Sequence, residues 1–599
     1  MKIRFGKIFS VKYFLIIFCL CCVFVLSNAC TKDTSKYNLD FRNSSWKHFK
    51  WKCFSIDSMY IDENESVNGK HPLCVISRGM PQTVFCQQWI FPSGKKDSDA
   101  VSVSINNKCN NWGEVVLKLY CLDRAGKVVY TDSVDINNDS CWVEKTIRFS
   151  VSDAKHLILG VYGIRKTAEI KEQKLWLDRI NVLINGKNIE DFNIKPLASR
   201  INIDENSIVP LVINDAKSFE KIMIPAGKRI IGLGESLHGS KTFSQIHLQT
   251  IKYLITQKNC RLILLESGQY EPLLWDLYVQ GKMKDEFLTE FKEDAILGFF
   301  GDDLCNFLAW LREYNSTTES KVKIRGLMDD FYSRNNELFD YLYAFSDQDI
   351  ISDIAPILRL IGNLSMEKAL DAVQQLPALK ETMGDENYAT FTDALNRAKT
   401  GFNIRSDNRA LFHKLFGRDY VMAQNADRAI SGYLWENETA VIVAHAGHIN
   451  RKGSYLLFPY IYSMGYYLNE KYGNAYYPIG IYAGTGSIRT ETWGNIFVKY
   501  NLKTPVPGSI EAACYRIKDS CFFYSATDLP DVDIYYRQIG SGVMGDEDLY
   551  EYEAPADRID GFIFVKESHN KQIPDETISG IRIERMLKKM TRCSEILNR

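Results

Sequence analysis

Five side chains with acid–base capacity sit at the ends of apolar runs. KRII leads into GLGESLHGS (Gly232–Ser240), which carries Glu235 and His238. RLILLES delivers Glu266, and TAVIVAHAGH delivers His445 and His448. The chain has nine histidines, so three of them at strand ends is more than background placement. An imidazole with an ordinary pKa of about 6.5 accepts a proton from water at neutral pH without extreme tuning. A carboxylate beside it orients the ring and makes it more basic. A further imidazole can polarise an ester carbonyl or stabilise the oxyanion that forms when water adds. The set therefore suits hydrolysis by activated water. His238 is the expected general base, Glu266 or Glu235 its partner, and His445 or His448 the group at the carbonyl. The second glutamate would hold the water, or act as an acid if burial raises its pKa.

Two other chemistries compete for the same residues. Ser236 in GESLHG invites comparison with a nucleophile elbow, but G-x-S-x-G needs glycine where His238 stands. Histidine and glutamate are good zinc ligands. The H-x-x-H of His445 and His448 nevertheless follows a strand, whereas H-E-x-x-H spans one helical turn.

Residues so far apart meet only if strands carry them to a common edge. In open parallel sheets, ligands lie beyond the carboxyl ends of the strands. From residue 196 onward, strand-like runs (RIIGLG, RLILLES, KVKIRGLM, TAVIVAH, AYYPIGIYAG) alternate with amphipathic stretches such as FSQIHLQTIKYLITQ. That alternation predicts an α/β domain over 196–599 with a parallel sheet. The stretch from about 330 to 435 has little strand signal and reads as a helical insertion. Residues 46–195 have a different texture: AVSVSI, EVVLKLYCLD, KVVYTDSV and WVEKTIRFSV are short runs separated by turns. They predict an antiparallel β-sandwich. Its last run, WLDRINVLING, resembles the closing strand of jelly-roll modules of the carbohydrate-binding type. Trp89, Trp112, Trp142 and Trp176 could stack on sugar rings, although most are expected in the core.

With 599 residues, 45% apolar and 25% charged, the chain is a multidomain globular protein. Its net charge of −1 and the absence of a basic aromatic stripe argue against a nucleic-acid partner. Lys2, Arg4, Lys7 and Lys12 precede an apolar run too short to span a bilayer comfortably, which reads as a signal peptide over 1–30. LSNAC, ending on Cys30, resembles a bacterial lipoprotein box, with Leu26 one place further back than usual. The resemblance implies lipidation of Cys30, a membrane partner through that lipid, a polar tether over 31–45, and a place in the bacterial cell envelope, at the outer membrane or the periplasmic face. Export also permits disulfides. Six of the 15 cysteines fall between Cys53 and Cys141, and their spacing leaves both pairing and free thiols open.

The motifs of the α/β region, taken in order, resemble the erythromycin esterase family. GLGESLHGS is similar to its GExxHG signature, RLILLES to its strand ending in glutamate, and RDYVMAQN (418–425) to its RDxxMAEN helix. VAHAGHI is similar to its WAHNxH strand end, and PGSIEAACYR, YYRQIG and DRIDGFIFV to its C-terminal segments. The resemblance implies hydrolysis of a macrolide-like lactone or another ester, with no bound metal and no cofactor. It places Glu235, His238, Glu266, His445 and His448 at the catalytic positions, and His247 and Arg418 among the substrate-binding ones. His247 stands where the family commonly has Arg or Lys, and Val443 and Ala446 stand for the family's Trp and Asn. These departures bear on the substrate more than on hydrolysis. The alternative is a surface lipoprotein that binds glycan through its sandwich and keeps a non-catalytic hydrolase-like domain.

Overall fold

The computed structural model describes residues 39–41, 52–54, 58–67, 69–77, 82–90, 99–137, 140–152, 154–165, 172–192, 201–222, 224–285, 288, 300–328, 335–345, 350–363, 365–405, 417–454, 461–492, 496–530, 534–539, 550–571 and 594. The expected leader, Cys30 and most of the tether lie outside them. The chain divides into two compact units: Met1–Cys121 with Tyr130–Ile194, and Lys195–Arg599 with Leu122–Val129.

The first unit contains two sheets, one of five strands and one of six. Val101–Asn110 lies between Gln173–Ile184 and Val143–Phe149, antiparallel to both. Along Val128–Asp135 every second residue is exposed, as the two-residue period of a strand with one buried face requires. Val103, Ile105, Leu117, Leu159 and Val182 belong to one apolar core. Trp112 is in that core, and its indole N–H donates to the Lys174 carbonyl at 3.0 Å. Trp176 is buried too, donating to Asp62 Oδ2 at 2.8 Å with the Lys108 ammonium over its ring, and Trp142 packs partly buried against it. A sugar platform needs an open ring face, which Trp112 and Trp176 lack. The side chain of Trp89 lies outside the described residues. Among the described cysteines, Cys74, Cys260, Cys514 and Cys521 are free and buried.

The second unit is built on a sheet of nine strands among the described residues. Those on its main path are β1 (Val209–Pro210), β2 (Ile230–Glu235), β3 (Cys260–Gly268), β4 (Lys323–Met328), β5 (Thr439–His445), β6 (Tyr476–Thr492), β7 (Cys521–Ser525) and β8 (Gly561–Ser568). Their spatial order is β1-β7-β8-β6-β2-β5-β3-β4. The six strands from β8 to β4 run parallel. At the other edge β7 is antiparallel to β8, and β1 to β7. No helix of crossover length is described between β7 and β8, and a parallel neighbour needs one.

Helices cover both faces, as a parallel sheet requires. Ile231, Leu233, Val441 and Val443 pack on one side with α1 (Lys241–Gln257), α2 (Tyr270–Val279) and α3 (Leu304–Ser316). Ile230, Leu264, Ile442 and Tyr476 pack on the other with α9 (Arg418–Tyr433) and α11 (Met464–Tyr472). Between β4 and α9 come five further helices, α4 (Asn335–Tyr343), α5 (Ile351–Gly362), α6 (Met366–Gln374), α7 (Pro377–Met383) and α8 (Asp385–Arg405). These fill the region read as an insertion. α9 ends that region and lies against the sheet, because its Met422, Ala423 and Ala426 carry the apolar stripe of a packed helix.

Candidate active site

Strand β2 has no exposed residue, as expected at the centre of a doubly covered sheet. It ends on Glu235, whose register partner in β5 is His445. The strand on the far side of β5 is β3, and it carries Glu266. Three adjacent strands therefore deliver Glu235, His445 and Glu266 side by side at their carboxyl ends. His238 lies in the loop that follows β2. His448 lies in the single turn α10 (Ala446–Ile449) that follows β5.

The loop after β2 is tightly constrained. Ser236 N–H donates to the Ile481 carbonyl at 3.0 Å, and Ile539 N–H donates to the Ser236 carbonyl at 2.7 Å. Gly239 has φ +75°, and a Cβ there would lie 1.7 Å from the Arg489 carbonyl oxygen. Only glycine suits both the left-handed backbone and that approach. Ser240 then caps α1, its hydroxyl accepting from Phe243 N–H at 3.1 Å. The chain thus turns from strand to helix in five residues, and His238 comes back over the end of β2.

His238 Nδ1 lies 2.6 Å from Glu235 Oε1. The nitrogen facing a carboxylate at that distance carries the hydrogen, which leaves Nε2 as the basic nitrogen of the neutral ring. The partner of His238 is thus Glu235. Glu266 is occupied elsewhere: its Oε2 accepts the His445 backbone N–H at 2.7 Å, and its Oε1 accepts from Arg418 Nη2 at 2.9 Å. Burial pushes both carboxyls up, but nearby imidazoles outweigh it for each. His238 and His247 hold Glu235 down at about 2. His448, Arg418 and His238 hold Glu266 well below the usual carboxylate range. Both are ionised, so neither is the protonated acid that burial alone would have made.

The three histidines have separate environments. His445 is buried, and burial pushes its pKa down to about 3, with the His238 and His448 rings adding to the effect. Its Nδ1 accepts the Gly447 N–H at 3.2 Å, so the neutral ring carries its hydrogen on Nε2. That Nε2 is buried and has no hydrogen-bond partner among the described residues. The His445 and His238 ring centroids lie 4.9 Å apart. His448 is pushed down by burial, but Asp419 and Glu266 outweigh this and raise it to about 9. Its Nδ1 donates to Asp419 Oδ1 at 2.7 Å, and its Nε2 faces Glu266 Oε1 at 3.1 Å. Arg418 Nη2 approaches the same Nε2 at 2.6 Å. Above pH 9 that nitrogen becomes an acceptor for Arg418. The members open to solvent are His238 and Arg418, with side chains 28% and 33% exposed.

His247 is placed differently from the substrate contact expected of it. It lies on α1, fully buried, with Nε2 3.2 Å from Glu235 Oε2. A ring closed off behind Glu235 fixes that carboxylate and cannot touch a ligand in front of it. Ser236 Oγ is buried and has no hydrogen-bond partner among the described residues. A triad needs an imidazole Nε2 bonded to the serine hydroxyl, and no such bond is made here. Asp419 was not expected from sequence. It sits beside Arg418 in RDYVMAQN, and besides His448 it binds the Met464 N–H at 2.8 Å.

Comparison with known proteins covers most of this unit. A family model described as erythromycin esterase matches residues 255–568, a span that holds Glu266, Arg418, His445 and His448 and begins after Glu235, His238 and His247. Erythromycin esterase type II of Escherichia coli is 22% identical over 355 residues, covering 50% of this chain and 80% of that protein. The structure of a mutant erythromycin esterase, EreC, in its open conformation has 16% identity and a TM-score of 0.41, covering 60% of this chain and 96% of that one. The CBM22-1 xylan-binding domain from Paenibacillus barcinonensis has 17% identity and a TM-score of 0.18, covering 22% of this chain and 85% of that one. The family model takes in more than half of the chain, including strands β3 to β8 and two of the three site histidines, and the chain belongs to the erythromycin esterase family.

Proposed function

We propose that the protein hydrolyses a carboxylic ester or lactone with water activated by His238. The carrying observation is the 2.6 Å bond from His238 Nδ1 to the buried, ionised Glu235, beside a neutral His445 whose Nε2–H has no partner. Water gives its proton to His238 Nε2 as its oxygen bonds to the acyl carbon. The carbonyl π pair moves to oxygen, and the His445 Nε2–H donates to the resulting oxyanion. The C–O bond to the alcohol then breaks, and the leaving alkoxide takes the proton back from His238. His247 and Glu266 hold Glu235 and the His445 backbone in place. Arg418 faces solvent beside His448 and offers a cation to the substrate. Macrolide-like lactones and acylated sugars or lipids are the substrate classes, met outside the cytoplasm by a chain exported and anchored through Cys30.

The test is turnover of a panel of lactones and aryl esters by wild type and His238→Ala. Loss of a general base is expected to lower kcat by about 10²–10⁴-fold. Equal trace rates for both proteins would end the enzymatic reading and favour a binding role for the α/β unit.

A further inference from the structure

Ile539 bridges Leu237 in the loop after β2, and the residue before it, Gln538, carries a side chain the mechanism has not used. Gln538 is fully buried, and among the described residues neither its amide oxygen nor its amide nitrogen has a hydrogen-bond partner. A buried primary amide offers two donors and an acceptor, and leaving all of them unmade is costly. The usual partner of such a group is an ordered water or a bound ligand.

Both neighbours of Gln538 are pinned. Arg537 is fully buried, and its guanidinium donates to the carbonyls of Ala483 and Gly484 at 2.7 and 3.0 Å. Its backbone N–H donates to Glu511 Oε1 at 2.7 Å. On the other side, Ile539 N–H holds the Ser236 carbonyl, one residue from Glu235. Gln538 is therefore fixed next to the loop that carries His238. Its amide lies against Gly447: a Cβ built there would meet Gln538 Nε2 at 2.7 Å and His445 Nδ1 at 3.1 Å. A side chain at position 447 would fill the place the amide occupies. Among the described residues neither the His445 Nε2–H nor the Gln538 amide has a partner, and the amide lies toward the Nδ1–Cε1 edge of the His445 ring at the same end of the sheet.

We infer that Gln538 is a substrate-binding residue whose carboxamide N–H donates, with His445, to the acyl oxygen as it becomes an oxyanion. This rests on the hydrolytic reading above. The covalent steps are unchanged: the electron pair that leaves the carbonyl is held by two neutral donors instead of one.

The test uses the full chain with Gln538→Met, which keeps the length and removes the polar atoms, and Gln538→Leu, which removes them with a branched apolar side chain. On an ester that wild type hydrolyses, both variants are expected to lose about 10²–10³-fold in kcat, with KM changing only a few-fold. The melting temperature of Gln538→Met should equal or exceed that of wild type, because an unpaired amide has gone from the interior. A structural role predicts the opposite, a lower melting temperature with kcat preserved in whatever remains folded, and that result overturns the assignment. So does wild-type kcat in Gln538→Met. A second readout is binding of an alkyl phosphonate monoester, a tetrahedral anion shaped like the adduct, expected to weaken at least tenfold in Gln538→Met. If wild type hydrolysed nothing in the panel, the hydrolytic reading would fall by itself. Equal phosphonate affinity in the two proteins would then dispose of Gln538 separately.

Discussion

Glu235 serves two imidazoles at once, one oxygen toward His238 and the other toward His247. The base in front cannot rotate without leaving a carboxylate that is fixed from behind. His448 is held in a comparable way by Asp419 and Glu266, and here pH gives a direct handle. Its folded pKa, about 9, lies above the ordinary histidine value. The folded state therefore binds this proton more tightly than the unfolded chain does. The resulting stabilisation is complete below about pH 6.5 and disappears as pH rises through 9. Asp419→Asn removes the largest charge holding the proton while leaving an acceptor for the Met464 N–H. The gap in melting temperature between wild type and Asp419→Asn should be widest at pH 6 and narrow toward pH 9.5, and the basic limb of kcat/KM should move to lower pH. Melting curves that stay parallel over this range would show that Asp419 does not set the protonation of His448.

At the scale of elements, the unit that matters is β2, its loop and α1. Gly239→Ala would place a methyl group on the Arg489 carbonyl in a left-handed backbone, and is expected to cost about 3 kcal/mol or more. Urea denaturation would show this as a lower midpoint with little change in slope, and an unchanged midpoint would mean the loop has another way to turn. This unit was legible in sequence because its signals are local: an apolar run, a polar end and glycines. The same holds for β3 and β5, which is why Glu266, His445 and His448 could be placed at one edge. What depended on distant packing was not legible. Asp419 is an acidic residue in the first turn of a helix, where it complements the helix dipole whatever else it does. His247 occupies a helix position whose neighbour across the fold, Glu235, no local pattern announces. Gln538 follows the four-residue strand Ile534–Arg537, and its burial comes from Arg537 anchoring to β6. The antiparallel edge of the sheet is also a matter of connection, since β7 and β8 have the composition of any buried strand.

At the scale of the whole molecule, the proposed anchor and the proposed site are tested separately. Among the described residues no helix is long and apolar enough to cross a membrane, and the proposed attachment is the lipid at Cys30. Cys30→Ser is expected to move the full chain from the membrane fraction to the soluble fraction without changing kcat. A variant that still sediments with membranes would rule out the lipid at Cys30. The braces on the loop that carries His238 come from far along the chain: the Ile481 carbonyl, Arg489 and Ile539 N–H groups, and Lys571 N–H on the Gly239 carbonyl at 3.0 Å. The proposed base and the backbone that shapes its turn are thus far apart in sequence and meet only in the folded sheet. Any cut or truncation that removes the later stretch would take away the shape of the turn while leaving His238 and Glu235 in the chain.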